Sequence, residues 1–292
     1  MKVSIVTTAY NVEPYIDKCV KSILAQSHKD FELIIVNDSS TDNTEKKLNK
    51  IKDERIRIIT HEKNMGAGQA RRTGIEAATG DYVITVDGDD WLSVDFIEKL
   101  AHVAEVTDAD IVSGGITIVW DESYEEVKRF LPRTSEGIQK FVDYKEGKII
   151  FLNNKLVRRE MYDLVPYCTR RYCEDTPVVL PLLYYANKVV YADTQGYYYR
   201  QHEQSLCRRV NQFEEALYKA LCSRDCIQFF ATKEDEYKGI VSVEELVQYI
   251  HTLKHTINGD MLRVYASELL DLLPVMLQLI PSEKKERGKT KN

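Results

Sequence analysis

The N-terminal third of this chain alternates short apolar runs with segments of helical spacing, and each apolar run ends in a polar cluster. Val3–Thr8, Phe31–Val36, Arg55–Thr60 and Tyr82–Val86 read as strands. Between them Pro14–Gln26, Asp42–Ile51 and Gly68–Ala78 read as helices. The second has Asp42 as N-cap with Glu45 three residues on, and the third is closed by Gly80. Strands joined through helices require right-handed crossovers, which give a mainly parallel sheet covered on both faces. Such sheets bind ligands beyond the carboxyl ends of their strands. The clusters Thr7–Asn11, Asn37–Thr41, His61–Gly66 and Asp87–Asp90 fall at those ends.

The last cluster makes the strongest chemical demand. Asp87-Gly88-Asp89-Asp90 sets three carboxylates within four residues directly behind an apolar strand. Residues i and i+2 of an extended chain point to the same side, so Asp87 and Asp89 can converge on one ligand. Two hard oxygen donors suit Mg²⁺ or Mn²⁺, with waters and substrate phosphates completing the shell. A polar turn uses the same residue types and is the plainer alternative. Asp38, just past the second strand, suits a nucleobase imide N–H or a ribose hydroxyl, or else caps the next helix. Arg71 and Arg72 follow the Gly66-Ala67-Gly68 loop within reach of a base or phosphate, although helix arginines are commonly just solvated. That loop lacks the third glycine of a dinucleotide fingerprint.

Composition closes off other classes. A net charge of −6 over 292 residues argues against a general nucleic-acid binder. The six cysteines form no metal-binding spacing and read as reduced thiols. Met1–Val6 enters a strand-like run at once, without a secretory apolar region, so a cytoplasmic protein is expected. No stretch is long and apolar enough to span a bilayer. The nearest, Leu269–Ile280, reads as the buried face of a helix pair, with contact at a membrane surface as the alternative.

Further along, a helix is expected after Asp95 to about Val106. Ala109–Trp120 and Val127–Leu131 read as strands that could pair as a hairpin. Asn154–Tyr162 and Thr176–Tyr185 read as helices, and Lys188–Ala192 and Tyr197–Arg200 as strands. From about Asn211 the pattern turns helical, and Ser282–Asn292 reads as a disordered basic tail.

Several blocks, in order, resemble the family 2 glycosyltransferases of the A-type glycosyltransferase fold: Val3–Asn11, Ser22–Ser27, Glu32–Asp38, Asn64-Met65-Gly66 with Ala70-Arg71, and Gly80-Asp81-Tyr82 ahead of the aspartates. The fold class expected is α/β: one Rossmann-like A-type domain with a mostly parallel central sheet over residues 1–205, plus a helical extension over 206–281 and the tail 282–292. Residues 1–115 would form the nucleotide-binding half and 116–205 the acceptor-side half.

The resemblance also implies roles. Thr8, Ala9, Tyr10 and Asn11 would line the nucleotide pocket, joined by Asn64, Gly66 and Gly88. Asp38 would hold the base, Asp87 the ribose and the metal environment, and Asp89 the divalent ion bridging the diphosphate. Arg72 stands where many relatives carry Asn, which leaves Arg71 and Arg72 open as the base contact. Tyr172-Cys173-Glu174-Asp175-Thr176-Pro177 resembles the family's Glu-Asp pair, implying Asp175 as general base and Glu174 as second choice; a helix cap is the alternative. Tyr198–Ser205 is similar to a loop that closes over the diphosphate, with Arg200 on phosphate and His202 on metal or phosphate. Asn154-Lys155-Leu156 resembles the start of the acceptor-side helix.

The implied activity is a metal-dependent (Mn²⁺ or Mg²⁺) inverting hexosyl transfer from a nucleotide-diphosphate sugar, UDP favoured. The acceptor would be a hydroxyl of a saccharide or lipid-linked molecule in bacterial surface-polysaccharide synthesis. A non-catalytic sugar-nucleotide-binding module and a sugar nucleotidyltransferase are the alternatives. Retention of Asp89 and Asp175 speaks against the first, and the absence of glycine in Thr7–Asn11 against the second. The C-terminal helices can dimerise, pack on the core or touch the inner face of the cell membrane.

Overall fold

A computed structural model gives the fold. It describes residues 1–120, 124–128, 133–137, 139–145, 151–168, 170, 173–203, 205, 210–237 and 240–279. Four parallel strands, β1 (Val3–Ala9), β2 (Phe31–Asn37), β3 (Ile56–Thr60) and β4 (Tyr82–Asp87), pair in the order β3-β2-β1-β4. The helices α1 (Ile16–Leu24), α2 (Thr44–Leu48) and α3 (Ala67–Glu76) connect them. After β5 (Trp91–Leu92) and α4 (Phe96–Thr107), the sheet continues through β6 (Ile111–Trp120) and β10 (Val189–Gln201), which run parallel to each other. The hairpin strand β7 (Tyr124–Lys128) pairs with β6, and β8 (Arg133–Ser135) with β10. The helices α5 (Gln139–Lys145) and α6 (Thr176–Tyr185) lie between β8 and β10 in the chain.

Both faces of the parallel part are covered, which is why its strands read as unbroken apolar runs. Val3, Ile5, Leu33, Ile35, Ile84 and Val86 pack with Ile16, Val20 and Ile23 of α1 and with Phe96 and Leu100 of α4. Val6 and Val36 face the other way, against α3. A Cβ on Gly74 would lie 2.2 Å from Val6 Cγ1, so only glycine lets that helix approach.

Several expectations need correction. Asn154–Tyr162 is not a helix: β9 (Lys155–Arg158) runs antiparallel between β4 and β6, followed by a 3₁₀ turn over Arg159–Asp163. Leu156 and Val157 fill a slot in the sheet with no exposed backbone, and burial on both faces outweighs the local helical spacing. Asn154 therefore does not begin an acceptor-side helix. The N-cap of α2 is Asn43; the Asp42 carboxylate accepts from the backbone N–H groups of Thr44 (2.9 Å) and Glu13 (3.0 Å), tying two loops together. Gly80 does not close α3, whose C-cap is Ala77; its N–H donates to Ser4 Oγ at 2.8 Å. Lys188–Ala192 and Tyr197–Arg200 belong to one strand, β10, with register shifts between Tyr191 and Tyr197.

The chain divides into two compact units, Met1–Arg209 and Val210–Asn292. The second is helical: α7 (Gln212–Ala231), α8 (Val243–Thr256), α9 (Gly259–Val264) and α10 (Ala266–Leu279). α7 opens on a capping box, in which Asn211 and Glu214 each accept the other's backbone N–H. In α10 Leu272 is buried while Leu270 and Leu273 are exposed. No helix among the described residues is long and apolar enough to cross a membrane. The expected basic tail and positions 129–131 of the expected hairpin lie outside the described residues.

Candidate active site

The carboxyl ends of β1, β2 and β4 meet through backbone register. Thr8 stands beside Asp87, and Ala9 beside Asn37. Thr8 Oγ1 donates to Asp87 Oδ1 at 3.3 Å, and Gly88 N–H donates to the Thr8 carbonyl at 3.0 Å. A Cβ at Gly88 would come within 2.7 Å of that carbonyl oxygen, so glycine is required where the two strand ends touch. Tyr10 projects at 46% exposure. Asn11 adopts a left-handed backbone (φ 52°), which Asn tolerates, and its side-chain oxygen accepts from Thr41 N–H at 2.7 Å.

Asp38 is buried and already engaged. Its carboxylate accepts from His61 Nδ1 (2.7 Å) and from the N–H groups of Met65 and Gly66 (both 2.8 Å). His61 must carry a proton on Nδ1 to face a carboxylate, and its Nε2 stands 3.0 Å from Thr73 Oγ1. Asp38 thus anchors the His61–Gly66 loop, including half-buried Asn64. Three bonds leave a carboxylate with one further lone-pair direction.

The end of β4 and the two residues ahead of α6 bring three carboxylates to one arginine in the second turn of α3. Arg71 is buried; its Nη1 donates to Glu174 Oε1 (3.1 Å) and Asp175 Oδ1 (2.8 Å), and its Nη2 lies 3.4 Å from Asp87 Oδ1. Burial opposes the guanidinium charge, but Asp175, Glu174 and Asp87 together hold it protonated well above its usual range. Arg72, the next residue, is half-buried; it lies over the Tyr167 ring at 4.9 Å and pairs with Glu76 one turn on at 2.8 Å. Burial pushes the Glu174 carboxyl up to about 7, with Arg71 pulling it back and Asp175 pushing it further. Burial likewise raises Asp87, against the pull of Arg71 and with the push of Asp89. Asp175 occupies the N-cap position of α6 yet makes no capping bond. Its oxygens instead meet Arg71 and, at 3.3 Å, Leu152 N–H.

The remaining aspartates face β10. Asp90 is buried and accepts from Tyr197 Oη (2.6 Å) and Arg200 N–H (2.8 Å); burial, then Asp89 and Asp87, raises its carboxyl well above the ordinary range. The Arg200 guanidinium lies over the rings of Tyr15 (4.9 Å) and Trp91 (4.6 Å), and its Nε donates to the Asp89 carbonyl at 2.9 Å. Asp89 Oδ2 and His202 Nε2 stand 3.0 Å apart, with the imidazole packed against Tyr15.

The sequence reading missed Asn153, whose Nδ2 donates to Asp87 Oδ2 at 3.2 Å, and Tyr197, whose hydroxyl joins Asp90 to the backbone of Asp87. The available signal was a polar triplet, Asn153-Asn154-Lys155, between the apolar pairs Phe151-Leu152 and Leu156-Val157.

The sequence model of glycosyl transferase family 2 matches residues 4–165, over half the chain. The chain belongs to glycosyl transferase family 2. The chain is 34% identical over 218 residues to the uncharacterized glycosyltransferase EpsJ of Bacillus subtilis, covering 70% of this chain and 62% of EpsJ. It is 29% identical over 246 residues to glycosyltransferase GlyG of Streptococcus pneumoniae, covering 79% of each. Its fold matches that of S. aureus TarS, residues 1–349, solved in complex with UDP-GlcNAc. The TM-score is 0.66 at 19% identity, over 96% of this chain and 82% of that one.

Proposed function

We propose that this family 2 enzyme is an inverting, divalent-cation-assisted transferase that moves a sugar from UDP to a hydroxyl of a saccharide or lipid-linked acceptor. The observation that carries the reading is the convergence of Asp87, Glu174 and Asp175 on the buried guanidinium of Arg71. It joins a strand-end carboxylate of the donor side to a helix-start carboxylate suited to be a base. The uridine base is supported by the UDP-GlcNAc complex of TarS. A setting in bacterial surface-polysaccharide assembly follows the family resemblance.

In this reading the acceptor oxygen attacks the anomeric carbon from the side opposite the diphosphate. The new C–O bond forms as the bond to the diphosphate oxygen breaks; the electron pair leaves on UDP and the acceptor proton passes to Asp175. One displacement inverts the centre. Arg71 and Leu152 N–H orient the two oxygens of Asp175, leaving lone pairs free for the proton. Asp38 and the loop it anchors shape the base pocket beside Tyr10, with Thr8, Ala9, Asn11, Asn64, Gly66 and Gly88 forming its walls.

The donor set fits a divalent ion along one edge. Asp89 Oδ2 and His202 Nε2, 3.0 Å apart, have the spacing of adjacent ligands on an octahedron, whose metal–oxygen bonds are about 2.1 Å. An ion on Nε2 would place the imidazole proton on Nδ1, which is buried and meets no acceptor among the described residues, so Asp89 would be the main protein ligand. Among the described residues no three His, Cys, Asp or Glu side chains form a metal-holding group. Diphosphate oxygens and waters would complete the shell, with Asp87 close by. Such an ion neutralises charge developing on a leaving diphosphate.

Calorimetry of UDP binding with and without Mn²⁺ tests the assignment. Wild-type protein is expected to bind UDP more tightly with Mn²⁺, and Asp89→Ala to lose that gain. An unchanged Mn²⁺ effect in the variant removes Asp89 from the ion site.

A further inference from the structure

Residues 151–155 form an arch that reaches both halves of the site. Leu152 N–H donates to Asp175, and Asn153 Nδ2 to Asp87. The arch is pinned from beneath by Lys155, whose buried Nζ donates to the Phe151 carbonyl and, at 2.7 Å, to Asn154 Oδ1. Asn154 Nδ2 in turn donates to the Gly114 carbonyl at 2.6 Å. Burial lowers the Lys155 ammonium to about 7, against the pull of Asp175.

Asn153 differs from its neighbours in one respect. It is 4% exposed, and its Oδ1 is buried with no hydrogen-bond partner among the described residues. The amide cannot be turned to hide this, because Oδ1 would then face the Asp87 carboxylate, acceptor against acceptor, at 3.2 Å. A buried acceptor left unbonded costs free energy that a ligand donor can recover. Only an O–H or N–H group can satisfy it. The diphosphate, carrying acceptors alone at neutral pH, is excluded. In the reading above, the transferred sugar would sit between Asp175 and Asp87, the two carboxylates that the arch touches, and would bring its hydroxyls to Asn153.

We propose that Asn153 reads the transferred sugar, its Oδ1 accepting a hydrogen bond from one hydroxyl of the donor hexose and so setting which hexose is used. The inference rests on the donor-site reading above. Because Oδ1 is closed to water in the free protein, the arch shifts slightly as the sugar enters.

Titration calorimetry in Mn²⁺ with UDP, UDP-glucose, UDP-galactose and UDP-GlcNAc tests it on wild type, Asn153→Ala and Asn153→Asp. The alanine variant has neither the acceptor nor the donor to Asp87; the aspartate variant keeps an acceptor only. The affinity of the preferred UDP-sugar relative to UDP is expected to fall about tenfold in Asn153→Ala. In Asn153→Asp that ratio is expected to persist, although UDP itself binds more weakly. Each ratio is measured on a single protein sample, so a partly unfolded variant does not distort it. An equal loss for UDP and UDP-sugars in Asn153→Ala would leave Asn153 as a mere support for Asp87 and overturn the inference, as would ratios unchanged in both variants. If wild-type protein binds none of the four, the donor reading fails first and the inference falls with it.

Discussion

The strand tips of β1, β2 and β4 and the pair Glu174-Asp175 at the start of α6 both gather acid groups, yet hold them by different means. At the strand tips, backbone groups and neighbouring side chains fix Asp38 and Asp90, and only Asp87 also reaches Arg71. Asp38 takes two N–H groups and His61, and Asp90 takes an N–H and a tyrosine hydroxyl. At the start of α6, one guanidinium from a helix more than a hundred residues earlier carries most of the load, helped by a single N–H. The first arrangement spreads each carboxylate over two or three partners; the second concentrates both on Arg71.

That contrast can be broken at its hinge. Arg71→Met should cost about 3–5 kcal/mol of stability by leaving buried carboxylates unpaired, measured by urea unfolding, and should also abolish transfer. A loss below about 1 kcal/mol, the scale of an exposed pair, would mean the carboxylates are held independently and the contrast is wrong. Next in size, Asp175→Asn should leave UDP affinity intact and lower turnover by about 10²–10⁴-fold, the share of a general base. Near wild-type turnover in a radiolabelled-sugar transfer assay would move the base elsewhere, with Glu174 next.

A smaller effect sharpens the comparison through pH. Glu174 is raised from its ordinary 4.5 to about 7 in the folded protein. The native state therefore binds more protons than the unfolded state across that window, and this group's contribution to stability falls as pH rises through it. Glu174→Gln should flatten the decline in urea midpoint between those pH values, leaving the same-signed contributions of buried Asp87 and Asp90. An unaltered slope would show that the strand-tip aspartates account for it alone. Smallest of all, Arg72→Ala should change neither stability nor transfer, since its partner Glu76 lies on the exposed face of the same helix.

The parallel half of the fold was legible because its signals are local. β1, β2 and β4 are apolar runs buried on both faces, and each fell within one residue of its expected bounds. β9 was not legible, because Lys155–Arg158 is a strand only by virtue of the slot between β4 and β6. Of the candidate site, the clusters at the strand tips could be located from pattern and family resemblance, since strand ends are where open α/β sheets place ligands. Asn153 could not be found, because its partner Asp87 is 66 residues away and its unbonded oxygen exists only in the packed protein.

The sequence by itself determined the α/β class, the position of Asp87–Asp90 at a strand end and membership of a glycosyltransferase family, all properties of periodicity and short blocks of residues. Only the tertiary structure separated Arg71 from Arg72, which share composition, helix and neighbourhood in the chain. Helical geometry turns successive side chains about 100° apart, so one guanidinium enters the carboxylate cluster and the other turns outward to Glu76 and the Tyr167 ring. It likewise decided that Asp175, placed like a helix cap, spends its charge on Arg71, because a bond to a buried guanidinium is stronger than one to an N–H group that water can reach.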